Sequence, residues 1–163
     1  MRESIGSSAF HGLGICFDGD AGDAGGKALL RVTRRDGYSF LHLACEFGPL
    51  TTVNALIQTG GEELLFKTTK SGSTCLHVAS EKGQVEIVKA LIAAGGKALL
   101  HKKCSLHLTC LHYAIKEGRL ETVKILIEAG GKDLLHQPET DGNTGLHLAC
   151  VKGNLAVAKA LVE

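Results

Sequence analysis

Between Gln84 and Ala94 the chain reads QVEIVKALIAA. Val85, Val88, Leu91 and Ile92 recur three and four positions apart, which places them on one face of a helix. Glu86 and Lys89 fall on the opposite, wet side, three apart, where they can pair for about 0.2–0.5 kcal/mol. Just upstream, CLHVASEK (Cys75 to Lys82) predicts a shorter helix stopped near Gly83. Thr74 opens it as an N-cap, its side-chain oxygen taking an orphan backbone donor. Ser71-Gly72 predicts a turn before it, and Gly95 is expected to close the second helix as a left-handed C-cap.

The same pattern returns along the chain. GGKALL, GGEELL, GGKALL and GGKDLL begin at Gly25, Gly60, Gly95 and Gly130, each 35 residues after the last. The dipeptides Leu41-His42, Leu76-His77, Leu111-His112 and Leu146-His147 keep that period, as do Ala44, Ala79, Ala114 and Ala149, and Gly48, Gly83, Gly118 and Gly153. Fixed self-similarity of this length marks a solenoid, because one helix pair cannot bury its own apolar face and stacked copies can. The units are read as approximately 31–65, 66–100, 101–135 and 136–163, inside a repeat domain of 25–163. A histidine that recurs in every unit is expected to be structural, linking the start of its short helix to neighbouring backbone. The leucine pairs Leu64-Leu65, Leu99-Leu100 and Leu134-Leu135 are expected to plug the gap between helices and hairpins. Burying one pair stabilises by about 3–6 kcal/mol in gross transfer terms.

STCLHVASEKGQVEIVKALIAAG resembles an ankyrin repeat, whose usual signature is G-x-T-P-L-H-x-A-x-x-x-G followed by an amphipathic helix. Thr74, Leu76, His77, Ala79 and Gly83 fall on signature positions, as do Thr144, Leu146, His147, Ala149 and Gly153, and the resemblance covers roughly residues 31–163. It implies an all-α architecture: two antiparallel helices and a projecting hairpin or loop per unit, stacked into a curved solenoid. It also implies a non-catalytic protein–protein interaction module. A 34-residue tetratricopeptide array is the competing architecture, disfavoured by the repeated LHxA and the glycine-rich joints. The chain departs from the pattern in its 35-residue period and in placing Phe40, Cys75, Cys110 and Gly145 where proline is usual. Partners of such repeats usually meet the hairpin tips and the exposed side of the first helix. The resemblance carries that role to Arg35, Asp36, Tyr38, Glu46 and Phe47, and in the next unit to Lys70, Ser71, Ser73, Glu81 and Lys82. Phe47 stands in a column that otherwise holds Lys82, Glu117 and Lys152, and Tyr38 in one with Ser73, Leu108 and Asn143. Two readings of these rings stay open: an aromatic pair beside Arg35 and Lys70 that anchors an apolar, acidic peptide, or a cover for the N-terminal cap.

The pattern frays at three places. Residues 1–24 are rich in glycine and read either as a degenerate cap, with Phe10, Leu13, Ile15, Cys16 and Phe17 over the first repeat, or as a disordered leader. The last unit stops at KALVE within a second helix, so an apolar face is expected at that end, available to a further element or to dimerisation. The third unit has Leu106-His107 where others have Asp36-Gly37, Ser71-Gly72 or Asp141-Gly142, and its turn is expected either to bulge or to pack Leu106 and Leu108 on a neighbour. Tyr113 replaces Leu43, Val78 and Leu148 of its column and is expected in the core.

Composition narrows the chemistry. With 18 basic against 17 acidic residues, the formal net charge of +1 gives no general pull toward nucleic acid or an anionic membrane. No apolar run approaches membrane-spanning length. The absence of a secretory pattern at the start points to an intracellular protein, cytoplasmic or nuclear, and the six cysteines recur in columns rather than pairs, against a disulfide scaffold. Cys104, His107, Cys110 and His112 are acceptable zinc ligands by type, but their spacing forms no usual finger and two of them fill routine repeat columns. Cys75 near His77 lacks an orienting acid for nucleophilic catalysis, and GDAGDAGGKA breaks the phosphate-loop pattern after Lys27. No enzyme, no metal and no cofactor are therefore expected. Two further functions remain alternatives: a structural spacer in a larger protein, and nucleic-acid binding through a basic hairpin edge of Arg31, Arg34, Arg35, Lys67, Lys70, Lys102 and Lys103, for which an acidic protein segment is the favoured counterpart.

Overall fold

The computed structural model describes residues 15–16 and 28–163, with side chains from Leu30 onward. A two-residue strand β1 (Ile15–Cys16) pairs antiparallel with β2 (Thr33–Arg34), and a short 3-10 helix (Ala28–Arg31) lies between them in sequence. Eight α-helices follow in four pairs: α1 (Phe40–Phe47) with α2 (Leu50–Leu65), α3 (Cys75–Lys82) with α4 (Val85–Leu100), α5 (Cys110–Lys116) with α6 (Leu120–Leu135), and α7 (Gly145–Val151) with α8 (Leu155–Val162). The short helices α1, α3, α5 and α7 stack on one another in order, and α2, α4, α6 and α8 form a second layer. The all-α solenoid is thus present, with a tight hairpin before each pair. The core is aliphatic: Leu41, Leu76, Leu91, Leu111 and Leu126 are among its fully buried side chains. The expected cap residues Phe10, Leu13 and Phe17 lie outside the described residues.

The second helices run further than the sequence pattern suggests. Lys97–Leu100 is not a loop but a further helical turn, continuous with α4 across a kink. The kink corrects the expected cap. Gly96, not Gly95, takes the positive φ, at φ 54° and ψ −154°, and Gly61 and Gly131 repeat it. The two glycines of each pair have different duties. A Cβ on Gly95 would lie 2.6 Å from Leu99 Cβ and 3.2 Å from Leu65 Cδ2, so the first glycine admits leucines. A Cβ on Gly96 would meet nothing within 4 Å, so the second serves only the backbone reversal. Leu64, Leu65, Leu99, Leu100 and Leu134 are buried behind these kinks as expected, while Leu135 is half-buried.

The column that usually holds proline secures the same turn. Cys75 Sγ donates to Leu65 O at 3.3 Å and Cys110 Sγ to Leu100 O at 3.5 Å, reaching a carbonyl that the end of the preceding helix leaves free. Burial pushes the Cys110 thiol up to about 12, so it stays a neutral donor. In the last unit Gly145 vacates this space, and Ile115 Cδ1 fills it, 2.6 Å from where a Cβ would stand.

The histidine column joins unit to unit. The backbone N–H of Thr74 donates to His77 Nδ1 at 3.1 Å, and Thr74 Oγ1 lies 2.8 Å from the same nitrogen. Thr74 is the expected N-cap, but its hydroxyl engages the ring of its own capping box, with His77 in the place of the usual Glu or Gln. Because Nδ1 accepts, the ring proton sits on Nε2, which donates to Leu108 O of the next hairpin at 3.1 Å. His42 does the same to Ser73 O, at 3.1 Å. His112 and His147 keep the contact to Thr109 and Thr144 through Nδ1, but the buried Nε2 of His112 has no hydrogen-bond partner among the described residues. The hairpins also bond tip to tip: Lys70 N–H to Asp36 O, Ser105 N–H to Ser71 O and Thr140 N–H to Leu106 O.

The third hairpin neither bulges nor loses its turn. His107 adopts φ 57° where Gly37, Gly72 and Gly142 have φ between 78° and 85°. Leu108 is buried, and Leu106 projects into solvent. At the far end Leu146 is 40% and Val151 81% exposed, whereas Leu41, Leu76 and Leu111 of the Leu146 column are fully buried.

Three outcomes follow. Leu91→Ala should destabilise by about 2–5 kcal/mol in urea unfolding, since it empties a fully buried site; a loss below about 0.5 kcal/mol would remove Leu91 from the core. Gly96→Ala should cost about 1–3 kcal/mol from backbone strain alone, and D-alanine at the same position should restore stability; equal loss with either enantiomer would assign the glycine to packing. The third outcome concerns pH. Desolvation lowers the pKa of His42 and His112, and brings His77 from 6.5 to about 4. The unfolded chain therefore binds more protons below about pH 6.5. Stability should be complete above that pH and fall as the pH drops through the folded value, by up to about 1.4 kcal/mol per pH unit for each such ring. A profile flat from about pH 7.5 to 5, or a slope unchanged in His77→Gln, would contradict a neutral buried column.

Candidate docking surface

The residues to which the sequence assigns contact fall on two neighbouring features: the first two hairpin tips, and the C-terminal ends of α1 and α3. Arg35, Asp36, Lys70, Ser71 and Lys82 are exposed, while Tyr38, Glu46 and Glu81 are half-buried. Phe47, the last residue of α1, is 76% exposed. Ser73 departs from the group. It is only 6% exposed, and its hydroxyl lies 2.9 Å from Tyr113 OH and 3.2 Å from Ser71 Oγ.

Tyr38 is half-buried where Phe47 is exposed. The Tyr38 ring packs on the core and stands 5.5 Å from the His42 ring, with the Arg34 guanidinium 5.8 Å from its centroid. Its phenol pKa is raised by burial first and then by the carboxylates of Glu46, Glu81 and Asp36, so the hydroxyl stays protonated at neutral pH. Glu46 meets Lys82 across the two units at 3.0 Å. The patch between α1 and α3 therefore joins a half-buried phenol, two carboxylates and an ammonium, with Phe47 at its margin.

The basic edge is less continuous than its sequence. Arg31 pairs with Glu63 at 3.2 Å and Arg34 with Asp36 at 3.3 Å. Lys67 Nζ donates to Arg31 O at 2.6 Å, and Lys102 stands 6.0 Å from the centre of the Phe66 ring. Among the described residues, Arg35, Lys70 and Lys103 have no ion pair.

Tyr113 is half-buried and polar in function, not plain core. Its ring meets His77 edge-on at 5.2 Å while its hydroxyl holds Ser73. A buried phenol needs a hydrogen-bond partner, and that need was the available signal for this contact. Arg119 also escaped the sequence reading; its Nε donates to Glu81 O at 3.0 Å, across 38 residues.

The four candidate zinc residues disperse. Cys110 is buried against Leu100 O, His112 is tied to Thr109, Cys104 is buried and His107 stands exposed at its hairpin tip. Among the described residues no three His, Cys, Asp or Glu side chains gather as a metal site, and no helix is long and apolar enough to cross a membrane.

Comparison with known proteins agrees with this architecture. A family model described as ankyrin repeats (three copies) matches residues 21–102 and 95–163. No curated protein matches the chain significantly. Ankyrin repeats are generally protein–protein interaction modules and are typically non-catalytic. With stacked helix pairs, tight hairpins, a histidine column that ties the first unit to the second and the second to the third, and a family match over most of its length, the chain belongs to the ankyrin-repeat family.

Proposed function

We propose that the repeat domain, residues 25–163, is a non-catalytic docking module that presents the first two units to a protein partner carrying an apolar and acidic segment. The contact set is Arg35, Asp36, Tyr38, Glu46, Phe47, Lys70, Ser71, Glu81 and Lys82, with Ser73 acting from beneath by holding Ser71. The carrying observation is Phe47. Phe47, at the end of α1, is 76% exposed, so most of its surface is left open by its own fold. The other members of its column are Lys82, Glu117 and Lys152, all exposed, so repeat packing does not call for an aromatic there. Aromatic and arginine side chains supply much of the energy of protein interfaces, where they fill pockets in the partner. Arg35 and Lys70, without ion pairs among the described residues, suit the acidic part of the segment. The thiols of Cys45, Cys75, Cys104 and Cys110, free and buried, suit a reducing intracellular compartment.

Paired affinity isolation with the wild-type chain and Phe47→Ser, read by quantitative mass spectrometry, tests the reading. A true partner should lose about 1–3 kcal/mol of affinity, roughly five- to 150-fold, while the melting temperature stays within a few degrees. Equal recovery of every captured protein by both baits would sink the role of Phe47, and a large melting loss would assign the ring to the fold.

A further inference from the structure

Between the first and second hairpins lies a cleft of about 470 Å³, lined by Thr33, Arg34, Arg35, Thr68, Thr69 and Lys70, with Gly37 at its floor. Three of these side chains are cationic and none is acidic. The walls are held in place. Lys70 N–H donates to Asp36 O at 3.0 Å, and Gly37, at φ 85°, lets the strands close so far that a Cβ there would lie 2.7 Å from Lys70 N. Arg34 is steadied from one side by Asp36 and from another by the Tyr38 ring. A guanidinium carries five donors, so one carboxylate contact leaves Arg34 able to bind further oxygens. Arg35 and Lys70 have no ion pair among the described residues.

Repetition does not account for this clustering. The position of Arg35 becomes Lys70, Ser105 and Thr140 in later units, and that of Arg34 becomes Thr69, Cys104 and Glu139. The corresponding second junction keeps Lys70 and Lys103, and the third sets Lys103 against Glu139. Cationic charge without an acid in the lining is thus densest at the first junction, where the two hairpins also leave a concavity.

We propose that this cleft binds a phosphorylated side chain, phosphoserine or phosphothreonine, of the partner protein. The proposal rests on the docking reading above and names the anionic group that the module takes. A phosphate monoester carries about −1.5 to −2 charge and three acceptor oxygens, which three cations can divide among them, two as planar forks and one as a point charge. A single carboxylate offers half the charge and two oxygens. A nucleic-acid backbone needs a longer track of cations, and here Arg31, Lys67 and Lys102 are already engaged along the same edge.

The test uses the whole chain and a fluorescent pool of degenerate phosphoserine and phosphothreonine peptides, beside the same pool after phosphatase treatment and a single-stranded oligonucleotide. The phosphorylated pool should bind at least about tenfold more tightly than the treated pool. Arg35→Gln combined with Lys70→Gln should remove that difference without changing the melting temperature, both side chains being exposed. Amide shifts on titration with phenyl phosphate should concentrate at 33–37 and 68–70. Equal binding of the treated pool, shifts spread over the solvated lysines Lys89, Lys124 and Lys152, or preference for the oligonucleotide would each overturn the proposal. Phe47→Ser should leave the phosphate selectivity intact. Loss of partners on Phe47→Ser without any phosphate preference would leave the docking reading standing and this inference rejected.

Discussion

A neutral imidazole at the third position of α1 and of α3 bonds in two directions, and the stacking of the first three units depends on it. Nδ1 receives the N–H of the capping residue, which fixes the start of the helix; Nε2 then gives its proton to a carbonyl of the next hairpin. One buried side chain thereby sets a local cap and a distance between units. The arrangement works only while the ring is uncharged, and burial ensures that it is, by holding the pKa down. Once the short helices are positioned, the hairpins that precede them come close enough to bond tip to tip, from Asp36 to Thr140.

The second layer is governed by steric room rather than hydrogen bonds. The GG pairs at Gly60, Gly95 and Gly130 separate two demands that a single glycine could not meet. The first glycine lets a leucine four residues on fold back against its own backbone, and the second turns the chain so that this leucine faces inward. The extra helical turn that results buries a leucine pair under the following unit and delivers a free carbonyl to the cysteine thiol at the start of α3 and α5. The thiol is small and carries a donor, where a proline would carry none. These departures from the usual repeat are therefore linked: a longer unit, a kinked second helix and a cysteine in place of proline serve one junction.

With packing satisfied by aliphatic side chains, the outer edge is free to differ between units. Charge on that edge is mostly neutralised locally, by Glu63 on Arg31, Asp36 on Arg34 and Glu46 on Lys82. Among the described residues, Arg35, Lys70 and Lys103 of that edge remain without an ion pair. A scaffold that repeats every 35 residues thus carries a surface that does not.

The sequence by itself determined the period, the two helices of each unit, the aliphatic core and the pairing of Glu86 with Lys89, because each depends on spacing along one chain segment. It also singled out Phe47, since a ring in a column of charged residues is conspicuous without coordinates. It did not determine which glycine of a pair turns the chain: two adjacent glycines are equally permissive, and only the direction in which Leu99 must pack distinguishes Gly96 from Gly95. Nor did it reveal that Tyr38 packs on His42, that Ser73 is turned inward under Tyr113, or that most of the basic stripe is already engaged. Those outcomes belong to the tertiary structure. Each is decided by contacts made in the fold, several of them to atoms some 30 to 40 residues away on a neighbouring unit, and periodicity fixes that the neighbour is there without fixing which of its polar atoms is within reach.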